Sequence, residues 1–187
     1  MNRVCQVIKD GFDAFKQRDL GDIELDYLFL DGAHFRMHPG APAEPVLAAW
    51  GVTTQGSPVL LGLAPDSDEG TDPWASFLDD LNARGLDMPL LVITDGAPGL
   101  VGAVEVAFPR PLRQRCLIHR ARNLLAKVPK VRPAGGQGRV LADLRRHHRR
   151  PRRCPVAQAR DRAHDFTRRY QHRYPAAVAC LLDTLPS

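Results

Sequence analysis

No apolar run in this 187-residue sequence approaches the eighteen or so residues that a membrane-spanning helix needs, so no membrane partner is expected. Residues 1–18 carry charge throughout and no apolar block, which argues against a secretory signal. Cysteine is scarce. Cys5, Cys116, Cys154 and Cys180 lie far apart with no repeated spacing, so a disulfide framework is excluded and a reducing, cytoplasmic setting is expected. Aromatic residues are few as well (7 Phe, 3 Tyr, 2 Trp), so a core has to be built mainly from Ala, Val, Leu and Ile. The 15 Gly and 16 Pro fall short of a low-complexity composition.

Charge is present in quantity and unevenly placed. Residues 1–133 hold 14 Lys+Arg against 17 Asp+Glu, a net of −3. Residues 134–187 hold 12 Arg, no Lys and 4 Asp, a net of +8. An acidic part followed by an Arg-only basic part points to a polyanion, most simply nucleic acid. A solvated helical surface would carry the same charge, and composition alone does not choose between them.

Periodicity gives the organisation. Val4, Val7, Ile8, Phe12 and Phe15 recur at helical spacing within a lead-in over residues 1–22. Tyr27-Leu28-Phe29-Leu30 is apolar on both faces and reads as a central buried strand that stops at Asp31-Gly32. Residues 45–52 and 58–63 read as strands joined by a hairpin turn at 54–57. Thr71-Asp72-Pro73 reads as a helix start, a cap residue with Pro at the first helical position, before the apolar face Trp74, Phe77, Leu78 and Leu81; Gly85 closes that helix. A second buried strand over 89–94 again stops at an aspartate, Asp95. Leu100, Val101, Val104, Ala107 and Phe108 mark the next helix, residues 112–117 a strand, and residues 119–128 a helix with an Arg-rich side. The order predicts an α/β fold, a mixed sheet flanked by helices. The organisation expected is a helical lead-in (1–22), an α/β core (23–132) and a basic helical segment (133–187).

Asp31 and Asp95 carry the candidate chemistry. Catalytic groups gather at strand ends in α/β sheets. If the two strands are neighbours, both carboxylates enter one crevice and repel each other when ionised. Hard divalent cations relieve that repulsion and take oxygen ligands. Each aspartate could equally do no more than cap its own turn, Asp95-Gly96 being a good turn dipeptide.

Taken in order, a longer set of residues resembles the Mutator-like transposases of bacterial insertion sequences. The set runs through Tyr27-Leu28-Phe29-Leu30-Asp31-Gly32, Trp74-Ala75-Ser76-Phe77-Leu78, Arg84-Gly85-Leu86 and Ile93-Thr94-Asp95-Gly96. It continues through Gly99-Leu100 and Phe108-Pro109, and closes with Gln114-Arg115-Cys116-Leu117-Ile118-His119 and Arg122-Asn123-Leu124-Leu125. The resemblance implies a ribonuclease H-like core with an Asp, Asp, Glu triad, in which Asp31 and Asp95 match the first two members. It implies two divalent metal ions, Mg²⁺ or Mn²⁺, DNA cleavage and strand transfer at element ends and target, and a homo-oligomer or a full-length transposase as partner.

The sequence also departs from that pattern. Its four glutamates are Glu24, Glu44, Glu69 and Glu105, and none follows the Cys-x-x-His element, where the triad's Glu belongs. The expectation is therefore an internal or truncated piece of a transposase, inactive alone. The alternative is a non-catalytic module that binds DNA or a transposase and interferes with transposition. Cys116 and His119 have half the spacing of a zinc site, which His147, His148 and Cys154 could complete, but they are expected to be a structural or site-lining pair. Arg115, Arg120, Arg122, Lys127, Arg145, Arg146, Arg149, Arg150, Arg152 and Arg153 are the candidate DNA contacts, suited to phosphates rather than bases.

Overall fold

The structure is a computed structural model. It describes residues 3–36, 39–40, 42–66, 70–129, 136–145 and 155–182. The chain divides into two units, Met1–Cys116 and Leu117–Ser187. Among the described residues no helix is long and apolar enough to cross a membrane.

In the first unit, helix α1 (Arg3–Gln17) precedes strands β1 (Leu25–Phe35), β2 (Glu44–Thr53) and β3 (Pro58–Pro65). Helix α2 (Thr71–Ala83), strand β4 (Leu91–Thr94), helix α3 (Pro98–Ala107) and strand β5 (Leu112–Arg115) follow. The sheet order is β3-β2-β1-β4-β5. β1, β2 and β3 form an antiparallel meander, β4 runs parallel to β1, and β5 runs parallel to β4. This is the α/β, ribonuclease H-like arrangement of a mixed sheet flanked by helices.

Alternation along β1 sends Leu28 and Leu30 to one face of the sheet, where both are buried. With Leu47, Ala49, Leu61 and Val92 they form a core against Trp74, Phe77, Leu78 and Leu81 of α2 and Leu100, Ala103 and Val104 of α3. The other face differs from the sequence expectation. β1 is central, but Tyr27 (40%) and Phe29 (37%) are exposed, as is Trp50 (46%), which pairs with Phe29 across the ladder. An apolar run marks a strand flanked by neighbours; it does not require cover on both faces.

Two ends are also corrected. β1 does not stop at Asp31: it runs on to Phe35, paired with β2 out to Glu44. The N-cap of α2 is Gly70, with Thr71 already helical and no side-chain cap bond, so Pro73 is the third helical residue rather than the first. Gly85 does end the helix. Its φ of +90° suits glycine, and a Cβ there would stand 3.1 Å from the Gly21 backbone nitrogen.

The second unit is helical: α4 (Leu117–Ala126), α5 (Gln137–Arg145), α6 (Pro155–Tyr170) and α7 (Pro175–Leu182). It has its own core of Leu124, Val128, Val140, Phe166, Tyr170, Ala177 and Val178. Phe166 and Tyr170 lie with ring centroids 4.7 Å apart. Gln137 Nε2 donates to the carbonyls of Leu125 (2.8 Å) and Val128 (3.0 Å) where α4 ends; the Leu125 carbonyl also accepts from the Val128 N–H.

Candidate catalytic site

The two apolar strands that end on aspartates are neighbours. β1 and β4 pair in parallel at Tyr27↔Leu91, Leu28↔Val92 and Phe29↔Ile93. Asp31 and Asp95 each lie two residues beyond the last of these pairs. Alternation continued along the strands assigns both to the face of Phe29 and Ile93, away from α2 and α3. Adjacent strands stand ~4.8 Å apart. Asp31 sits where β1 outruns β4, opposite Ala48 of β2, and is exposed. Asp95 is the first residue past β4 and is partly buried.

The sequence after Asp95 builds its turn. Gly96 has a φ of +89°, a conformation that L side chains rarely adopt. The Ala97 N–H donates to Asp95 Oδ1 at 2.8 Å, an Asx turn that fixes the carboxylate. Pro98 then occupies the first turn of α3, where no N–H is needed. The Cys116 N–H donates to the Thr94 carbonyl at 2.6 Å, tying the end of β4 to the residue after β5.

This donor set fits a hard divalent cation. It offers carboxylate oxygens from two neighbouring strands, one of them already oriented by a backbone N–H. Among the described residues no group of three or more His, Cys, Asp and Glu side chains could hold a metal ion.

The remaining candidates separate. Cys116 is a partly buried free thiol at the end of the first unit, and His119 lies on α4 in the second. Arg122 is exposed on α4, and Lys127 is exposed in the turn just past its end. Arg120 is partly buried and donates to the Leu181 carbonyl of α7 at 3.4 Å. Arg115 lies in the first unit, where its Nη2 donates to the Asp95 carbonyl at 3.4 Å. Arg145 belongs to α5, but its side chain lies outside the described residues, as do Arg146, Arg149, Arg150, Arg152, Arg153, His147, His148 and Cys154. Sequence reasoning missed the Arg113–Glu105 ion pair (3.0 Å) between β5 and α3. The alternation of Arg113 and Arg115 with Leu112 and Gln114 shows that the two arginines share a face of β5, but nothing in it points to Glu105.

The sequence matches the model of the family described as Transposase, Mutator family, over residues 1–186. The chain belongs to that family. It is 30% identical over 185 residues to the transposase for insertion sequence element IS6120 of Mycolicibacterium smegmatis, covering 99% of this chain and 55% of the relative. It is 36% identical over 157 residues to the transposase for insertion sequence element IST2 of Acidithiobacillus ferrooxidans, covering 81% of this chain and 50% of the relative. The Mutator-family chain thus spans about half the length of these relatives. Among solved structures, the HTLV-2 integrase catalytic core domain in complex with magnesium is similar at 17% identity and a TM-score of 0.36, over 57% of this chain and 73% of that one. At that score the likeness carries no argument about this chain's chemistry.

Proposed function

We propose that this chain is the catalytic-core portion of an insertion-sequence transposase, in which Asp31 and Asp95 hold Mg²⁺ or Mn²⁺ and the second unit binds DNA through its phosphates. One observation carries the reading: β1 and β4 are parallel neighbours in a register that places the two aspartates at matching positions. A bound divalent pair would activate a water or hydroxyl at phosphorus and stabilise the leaving oxygen. The chain's own part is to present two carboxylates, one fixed by the Ala97 N–H, on a face that nucleic acid can reach.

The third carboxylate of the triad has no match among Glu24, Glu44, Glu69 and Glu105, so the chain by itself binds metal and DNA without cleaving. Cleavage and strand transfer then need a full-length transposase as partner, because a second copy of this chain carries the same four glutamates. The test is calorimetric titration with Mn²⁺ followed by incubation with supercoiled plasmid. Binding that Asp31→Asn and Asp95→Asn each weaken at least tenfold, without nicking, is expected. Nicking by the wild type that Asp95→Ala abolishes would overturn the inactivity and leave the metal site standing. Equal Mn²⁺ affinity in all variants would overturn the metal site.

A further inference from the structure

β5 sets Arg115 opposite Thr94, so its side chain shares the α3-covered face of the sheet with Val92 and Thr94 rather than the face assigned to Asp31. Its neighbour on that face, Arg113, has a counter-ion in Glu105. Among the described residues no ion pair is found for Arg115. Its Nε is buried and finds no hydrogen-bond partner among the described residues. Its hydrogen bond to the Asp95 carbonyl is long at 3.4 Å and weak by itself. A guanidinium nitrogen buried without a partner is costly to place, so its position calls for a reason.

Steric fit around Gly96 supplies one. The guanidinium lies against Gly96 so closely that a Cβ there would overlap Arg115 Nε, meet Cζ at 2.9 Å and Cδ at 3.1 Å. The turn from Thr94 to Ala97 is therefore held at each residue. Cys116 N–H bonds Thr94, Arg115 bonds Asp95, the Arg115 stem and head fill the space under Gly96, and Ala97 N–H bonds the Asp95 carboxylate. A cavity of about 290 Å³ lies beside the turn, lined by Val92, Val101, Val104, Gly96 and Arg115 among others.

We propose that Arg115 is a positioning residue: its guanidinium props the Asp95-Gly96 turn from beneath and so fixes the direction of the Asp95 carboxylate. The inference rests on the reading of Asp95 as a metal ligand and deepens it. It also removes Arg115 from the set available to DNA phosphates.

The experiment uses the full chain with Arg115→Met and Arg115→Lys, reading amide hydrogen exchange at Gly96 and Ala97 and Mn²⁺ affinity by calorimetry. Arg115→Met is expected to lower protection at these two amides about tenfold, with amides of β4 and β5 such as Ile93 and Gln114 unchanged. Mn²⁺ affinity is expected to fall about 10–100-fold, the range found when a group that orients a metal ligand is removed. Arg115→Lys keeps the apolar stem and loses the planar fork, so it should fold where Met does not and still show a partial loss. Unchanged Ala97 protection in a folded variant overturns the proposal. Protection lost evenly along β4 and β5 also overturns it, because Arg115 would then only stabilise the sheet edge. If the wild type binds no Mn²⁺ while Ala97 protection still falls in the variant, the metal reading fails and the positioning role survives.

Discussion

The two units divide the charge of the chain between them. Met1–Cys116 holds 9 Lys+Arg against 17 Asp+Glu, a net of −8, and Leu117–Ser187 holds 17 Lys+Arg against 4 Asp, a net of +13. The structural boundary makes the asymmetry sharper than the composition change near residue 133 suggests. The acidic unit is a sheet with helices on it, and the basic unit is a small helical cluster with a separate core. The lesson concerns function. On the proposed reading, a metal site built from carboxylates would raise negative charge where DNA has to come, and the attraction for phosphates would be supplied by another part of the chain.

The largest effect expected from this division is on DNA affinity. If the basic unit makes six or more phosphate contacts, binding to a duplex of arbitrary sequence should weaken roughly 10³-fold between 50 and 200 mM salt. Arg122→Gln on α4 with Lys127→Gln just past its end, both exposed, should reduce the log–log salt slope by about two, one for each lost phosphate contact. Fluorescence anisotropy across a salt series measures this. An unchanged slope would move the DNA contact off α4.

Next in size is the independence of the two cores. Trp74 is 1% exposed against Phe77, with ring centroids 5.8 Å apart in an edge-on arrangement. Trp74→Ala should destabilise the first unit by about 3–5 kcal/mol. Calorimetry should show one of two transitions fall while the other, from the core around Phe166 and Tyr170, stays in place. A single transition that moves as a whole would mean that the units fold as one. Gly85→Ala should cost less, about 1–3 kcal/mol, because alanine must take a φ of +90° and press on Gly21.

The sequence was most legible where apolar spacing and chemistry coincided. The runs before Asp31 and Asp95 identified two strands, and their adjacency followed from treating both aspartates as site residues. It was less legible where one residue type serves two ends. Asp31 reads as a terminus because Asp-Gly ends strands, yet β2 continues to pair with β1 to Phe35. Thr71-Asp72-Pro73 reads as a cap followed by Pro at the first helical position, yet Gly70 is the cap and Pro73 the third helical residue. Tyr27 and Phe29 read as buried because they are apolar, and sequence cannot say which face of a sheet lacks cover. Arg115 reads as a DNA contact because it sits among arginines; only the left-handed turn at Gly96 reveals where its side chain goes.

The smallest effect separates the two units most directly. Each carries an exposed ion pair: Glu105–Arg113 at 3.0 Å in the acidic unit and Asp165–Arg168 at 2.6 Å in the basic one. The side chains of the second are 82% and 63% exposed, against 39% and 55% in the first, so solvent screens it more. Double-mutant cycles should give about 0.5 kcal/mol or less for Asp165–Arg168 and somewhat more, still under ~1 kcal/mol, for Glu105–Arg113. The consequences for DNA should run the other way. Asp165 is one of only four acidic residues among the basic unit's 17 Lys and Arg, so Asp165→Asn removes a repulsive charge where phosphates are expected. It should tighten DNA binding by a few-fold at low salt and not at high salt, because screening acts over ~10 Å at 0.1 M. Glu105→Gln changes the net charge equally but lies in the acidic unit, and it should leave affinity unchanged. Equal tightening by both variants would mean that DNA responds to the chain's total charge, and the functional division between the units would fall.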